Sequence, residues 1–212
     1  MNQIKFGTYK SYDNLNLICT KKTIGSPAVK TAIVEIEGGD GVLDYTEYFG
    51  DVKYNNRQLN FEFESIVPQS QFPELYSAIL DALHGKKVQI VLDEDPDFYY
   101  VGRLEVSDFA NERGIGSIKI DCDCEPYKYK KNKTVVSQAV SGSTTITLPN
   151  LRKRVVPTIT SDATMTFAFG KKTIQHSAGT FIIPTLELVE GTNTVTVTGT
   201  GNVTFTYQEG RL

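Results

Sequence analysis

Strand periodicity constrains this chain more than any other feature. In LNFEFESI, residues 59–66, the apolar Leu59, Phe61, Phe63 and Ile66 nearly keep a period of two, which buries one face and leaves Asn60, Glu62 and Glu64 to water. The segments TAIVEIE (31–37), RQLNFEFESI (57–66), KKVQIVLD (86–93), FYYVGRLEV (98–106) and GSIKIDCDC (116–124) all read as strands. One segment breaks the pattern. FPELYSAILDALHG has Pro73 near a first turn, Leu75, Ile79 and Leu83 at i, i+4 and i+8, and Gly85 where a helix stops, which predicts one helix over 73–84.

Composition then divides the chain. There are 18 threonines from Lys133 onward and 5 before it, and all three cysteines lie in the earlier part, so two domains are expected, 1–132 and 133–212. Charge agrees with the division. The later part has 7 basic and 4 acidic residues, the earlier part 15 and 21, so the two carry opposite net signs. The connector EPYKYKKNK (125–133) joins a proline to a run of like charge that would repel itself in a packed core, and reads as a solvated linker. Beyond it, STTITLP, RVVPTITSDATMTFAFG, GTFIIP and EGTNTVTVTGTGNVTFTYQEG are short strands rich in Thr, Val, Ile and Phe, which predicts an all-β sandwich.

Residue chemistry narrows the function classes. No apolar run approaches the roughly 20 residues that span a bilayer. The opening MNQIKFGTYKSYDNL lacks the apolar core of a secretory signal, so folding in a cytoplasm is expected. Cys19, Cys122 and Cys124 are an odd set for a disulfide framework and are expected to be reduced, the latter two on one face of a strand. A net charge of −3 gives no basic excess to hold nucleic acid. The two histidines, His84 and His176, fall in different expected domains. His84 reads as a helix C-terminal residue and His176 as a surface turn residue, so neither stands beside a nucleophile as a catalytic base would. Cys122 and Cys124 with a distant histidine do not make a zinc spacing. In LDEDPDFYY, residues 92–100, four carboxylates surround Pro96 between two strands, and the segment reads as a solvated hairpin turn. No catalytic, cofactor-binding or metal-binding residue is therefore expected.

EIEGGDGVLDYTEYFG (35–50) is the most unusual stretch. GGDGVLD approximates a calcium-binding repeat, but Asp44 comes one residue late and no second copy stacks on it. As a phosphate cradle it would set Asp40 and Asp44 against the anion and would need a helix to follow. It reads instead as a glycine-rich turn between a strand ending at Glu37 and an extended YTEYFG.

These segments together resemble the distal tail protein family of long-tailed phages and prophages. The likeness rests on the turn at 39–44, Leu83, His84 and Gly85 at the helix end, the Tyr-Tyr-x-Gly-Arg strand at 99–103, and the terminal TVTVTGTGNVTFTYQEGRL. It implies an N-terminal β-sandwich-like domain with one helix and a protruding hairpin, closing into a hexameric hub ring at the virion tail tip, and a C-terminal galectin-like β-sandwich. The implied partners are the other copies and the neighbouring tail proteins: tube, tape-measure or tail-associated, and receptor-binding. DNA would only pass through the lumen, where the acidic N-terminal part would repel phosphate. Asp40, Asp44, Tyr45, Tyr48 and Phe49 are the candidates for subunit contact, since exposed aromatics favour interfaces. With no inserted module, host adhesion is expected to belong to another tail protein.

The alternative is a carbohydrate-binding module recognising cell-surface glycans. Sugar sites stack a ring on an aromatic platform, yet the chain has no Trp, and Phe167, Phe169, Phe181, Phe205 and Tyr207 alternate in ways that make most of them core. A cell-wall hydrolase would need a carboxylate pair flanking a cleft, which no spacing here marks.

Overall fold

Alternation decides where the strands lie. In the computed structural model, residues 3–48, 50–112 and 114–212 are described. The chain divides into two compact units, Met1–Pro126 and Tyr127–Leu212.

Unit 1 contains β1 (Ile4–Phe6), β2 (Tyr9–Lys10), β3 (Leu17–Ile24), β4 (Ile33–Glu35), β5 (Val42–Asp44), β6 (Arg57–Ser65), the helix α1 (Phe72–Leu83), β7 (Lys87–Leu92), β8 (Phe98–Glu112) and β9 (Ile115–Cys124). All but β4 and β5 join one sheet in the order β2-β1-β7-β8-β9-β6-β3, antiparallel throughout. β1 and β6 stand four places apart in that order, a flat distance of about 19 Å at the usual strand spacing. Yet the Phe6 ring lies 5.7 Å from Phe61 and 6.2 Å from Phe63. The sheet must therefore curl until its two ends face each other, and the unit is sandwich-like around a core of Phe6, Leu17, Leu59, Phe61, Ile90, Leu104 and Ile120. Each such side chain, fully buried, contributes about 1.5–3 kcal/mol. α1 adds Ile79 and Leu83 to that core, the i and i+4 stripe read from the sequence.

The helix begins one residue earlier and ends one residue earlier than expected. Two other expectations change. Ile66 is exposed rather than core: it lies one residue out of phase with Leu59, Phe61 and Phe63 and so falls on the outer face. β1, β2 and β3 had no strand signal of their own, because two are very short and the third carries Thr20, Lys21, Lys22 and Thr23 at the sheet edge.

Unit 2 contains β10 (Lys128–Lys130), β11 (Thr134–Asn150), β12 (Thr158–Ser161), β13 (Met165–Phe169), β14 (Lys172–His176), β15 (Gly179–Ile182), β16 (Gly191–Tyr207) and β17 (Gly210–Arg211). The expected linker is thus not wholly linker, since its residues 128–130 pair with β17. The remaining strands form a six-stranded array in the order β14-β13-β16-β12-β15, with β11 along β16. β16 serves two layers: Thr196 to Thr198 pair with β13, and Val203 to Thr206 with β12. Between them lies Gly201, where a β-carbon would stand 2.2 Å from Asp162 Oδ1, so only glycine lets the strand pass. Val195, Val197, Val203 and Phe205 point inward together with Phe167, Ile159 and Leu148. The threonines take the outer positions. Ser137, Thr204, Thr160 and Thr180 form one row across β11, β16, β12 and β15, with hydroxyl contacts of 2.9 and 3.0 Å, which accounts for the threonine excess.

Candidate functional site: an exposed apolar arm

β4 and β5 pair only with each other among the described residues, as Ile33↔Asp44, Val34↔Leu43 and Glu35↔Val42. Their base is closed by the bridge Val29↔Tyr54 and by bonds from Lys30 N to Lys53 O and from Asn55 N to Ala28 O, both 2.8 Å. Residues 28–55 therefore make a ribbon that leaves the curled sheet as an arm. The turn at its tip has Gly38 and Gly41 at φ of 75° and 78°, the left-handed region that glycine enters freely.

What the arm exposes is aliphatic. Ile33, Val34, Ile36, Val42 and Leu43 are all exposed, Val42 at 53% of its full surface. A free two-stranded ribbon is marginally stable in water, and contiguous exposed aliphatics mark interaction surfaces. Sequence reasoning singled out the turn and its aromatics but not these five residues. Their signal was present in TAIVEIE and GVL, short runs apolar on both faces, which a half-buried strand does not need.

The predicted contact residues spread along the arm. Asp40 is exposed in the tip turn. Asp44 belongs to β5, where its Oδ1 accepts from Thr46 N at 2.8 Å; hydrogen bonds from the Thr46 side chain and then its backbone hold the carboxyl below the usual range. Tyr45 and Tyr48 meet edge to face at 5.9 Å, Tyr48 being 73% exposed. Phe49 lies outside the described residues. The segment YTEYFG is not extended as expected: Tyr48 N bonds to Tyr45 O and Gly50 N to Glu47 O, both at 3.0 Å, so the chain turns here. Those turns bring the two tyrosines together.

Two stretches distant in sequence, the helix end and the Tyr-Tyr-x-Gly-Arg strand, meet in space. Gly85 N donates to Leu104 O at 2.8 Å, Arg103 Nη1 to Gly85 O at 2.5 Å, and Val106 N to His84 Nδ1 at 3.1 Å. The imidazole thus acts as the acceptor that a neighbouring strand would supply. His84, Gly85, Arg103 and Leu104 line a cavity of about 350 Å³ together with Asp121 and Asp123. Lys86 Nζ reaches back to Asp81 O and Ala82 O, at 2.7 and 2.8 Å, and closes the end of α1.

The remaining reactive groups have structural partners. Cys122 and Cys124 are free thiols, both pointing into the core from β9; burial pushes the first far up and the second up to about 12, and half-burial raises Cys19. Thiolate chemistry is disfavoured at all three. His176 is the last residue of β14 rather than a turn residue, and its ring stacks on Phe181 at 3.5 Å. In the β7–β8 turn, Asp93 accepts from Gln3 N at 3.1 Å and Glu94 pairs with Lys22. Among the described residues no group of three or more His, Cys, Asp or Glu could hold a metal ion, and no helix is long and apolar enough to cross a membrane. In unit 2, Phe167, Phe205 and Tyr207 are buried and Phe169 and Phe181 half-buried against the core.

A curled sheet with one helix and a projecting arm, followed by a separate two-layer unit, defines a mainly β scaffold. Its fold is that of the Dit protein (gp 19.1) of phage SPP1, a crystal structure described as a paradigm of the hub adsorption apparatus in phages infecting Gram-positive bacteria; the TM-score is 0.74 at 15% identity, over 98% of this chain and 99% of that one. No protein-family model and no curated protein matches the chain.

Proposed function

We propose that this chain is a structural component of a phage or prophage tail tip. Six copies close into a hub ring that joins the tail tube to the host-recognition apparatus, and DNA passes through the lumen. The chain is made in the host bacterial cytoplasm, its partners are the neighbouring tail proteins, and its role is scaffolding rather than catalysis. The observation that carries this reading is the arm, whose exposed aliphatics and paired tyrosines, Tyr45 and Tyr48, suit burial against a second copy, with Asp40 and Asp44 at its tip and outer strand. The whole-length likeness to a phage hub protein supports it. An arm that meets a different patch on the next copy makes a heterologous interface, and such interfaces form rings when the rotation closes. The acidic excess of the first 132 residues suits a conduit for DNA.

Light scattering of the full chain at several concentrations, with negative-stain images of the peak, tests the reading. A six-fold ring, single or doubled, is the expected result. A strict monomer that binds oligosaccharides on a glycan array would replace the hub with a sugar-binding module. A lumen lined mainly by Lys and Arg would overturn the charge argument alone.

A further inference from the structure

Asp40–Gly41 is the one Asp-Gly step in the sequence, which has no Asn-Gly step. It sits at the tip of the arm. On the β4 side Gly39 N donates to Ile36 O at 3.1 Å, and on the β5 side the ladder starts at Val42 opposite Glu35, so Asp40 and Gly41 are the two residues left between these anchors. Both are exposed. Gly41 has a φ of 78° and nothing within 4 Å of where a β-carbon would stand. The Asp40 carboxyl makes no hydrogen bond or ion pair among the described residues. Other aspartates are held: Asp44 accepts from Thr46 N at 2.8 Å, Asp123 from Asn56 Nδ2 at 2.9 Å and Asp162 from Asn202 Nδ2 at 2.8 Å.

We propose that Asp40 isomerises spontaneously to isoaspartate through a succinimide formed with Gly41. The Gly41 backbone nitrogen attacks Asp40 Cγ: the N–Cγ bond forms, the bond from Cγ to the hydroxyl of the protonated carboxyl breaks, and the amide proton leaves with that hydroxyl as water. Water then opens the ring. Addition at Cγ restores aspartate, whereas addition at the main-chain carbonyl of Asp40 breaks its bond to Gly41 N and leaves the chain running through Cβ and Cγ, with the carboxylate on Cα. One water is lost and one regained, so no oxidant, reductant, enzyme or partner chain is needed. The first step favours glycine, because a β-carbon on the following residue would crowd the attacking nitrogen, and because the backbone freedom of Gly39 and Gly41 lets the tip reach the cyclising geometry. It also needs a carboxyl that no donor holds in place, and the tip meets both conditions. The product carries one more backbone carbon in the turn that sets Glu35 opposite Val42, so it loosens the closing pair of the β4–β5 register.

The test is ageing of the full chain at neutral pH and physiological temperature in water enriched in heavy oxygen, followed by tryptic digestion in ordinary water. Cleavage after Lys30 and Lys53 puts Asp40, Asp44 and Asp51 in one peptide, residues 31–53. The expected result is a second chromatographic peak of that peptide, growing with time and heavier by one exchanged oxygen. Electron-transfer fragmentation should read it as isoaspartate at 40 and as aspartate at 44 and 51. Asp40→Glu keeps the charge but would have to close a larger ring, and should lose the peak. A full chain that gives no isoaspartate at 40, while the synthetic peptide 31–53 aged beside it does, overturns the proposal, because the folded tip then keeps the carboxyl away from Gly41 N. A signal at Asp44 or Asp51 equal to that at Asp40 overturns it as well, since the tip would then confer nothing.

Discussion

Gly102 of β8 faces Cys124 of β9 so closely that a β-carbon on Gly102 would stand 2.3 Å from the Cys124 sulfur and 2.9 Å from Asp123 O. The glycine of the Tyr-Tyr-x-Gly-Arg strand is thus a packing residue, which makes room for the last inward side chain of β9. Gly102→Ala is expected to cost about 1–3 kcal/mol, the range for overfilling a packed core. Thermal unfolding followed by circular dichroism should show a melting temperature lowered by several degrees. An unchanged value would mean that β8 and β9 separate here at little cost.

His84 is expected to stabilise unit 1 through its acceptor. Val106 is buried, and His84→Leu would leave its N–H without the ring nitrogen, at about 1–3 kcal/mol. Asn can present an oxygen near the position of Nδ1, so His84→Asn should lose less. Denaturant titration of the three proteins gives the order directly, and equal losses for both variants would remove the hydrogen bond as the cause.

Unit 2 carries an acid-sensitive joint. Asp162 accepts from Asn202 at both oxygens, from the backbone N at 2.7 Å and from Nδ2 at 2.8 Å, and the side-chain bond first, then the backbone bond, lowers its pKa below the ordinary 3.8. A lowered carboxylate contributes stability that is fully present above its unfolded value and disappears as pH falls through its folded value. The melting-temperature gap between wild type and Asp162→Ala should therefore hold constant above about pH 5 and narrow below about pH 4. A gap that persists unchanged to pH 2 would contradict it.

Tyr48 gives a test of the arm itself. Being 73% exposed, with its edge-to-face contact to Tyr45 as the aromatic pairing at stake, it contributes modestly to the fold of a single chain, so Tyr48→Ala should shift the stability of the dissociated protein by about 1 kcal/mol or less. As an aromatic anchor in an interface it should contribute about 2 kcal/mol, a roughly thirtyfold weaker assembly when removed. Denaturant titration of the dissociated protein reads the first, and sedimentation velocity across a concentration series the second. Assembly indifferent to the substitution would move the contact elsewhere on the arm.

What the sequence determined by itself was the local structure and its division: the strands around Leu59, Phe61 and Phe63, the single helix, the sandwich of threonine-rich strands, and the turn at Gly38 to Gly41. Each of these follows from a period or a backbone preference carried within a dozen residues. The tertiary structure decided the rest. Phe6 reaches Phe61 only because the sheet curls, β10 pairs with Gly210 and Arg211 from the far end of the chain, and His84 finds Val106 only through the path of β8. The same holds for exposure. Ile66 and Val34 are apolar residues in strand-like stretches, and nothing local separates them from core; they are exposed because Ile66 sits one step out of phase and because no strand of the described chain covers the arm. Burial is a property of what lies opposite, and what lies opposite is set by contacts between segments far apart in the chain.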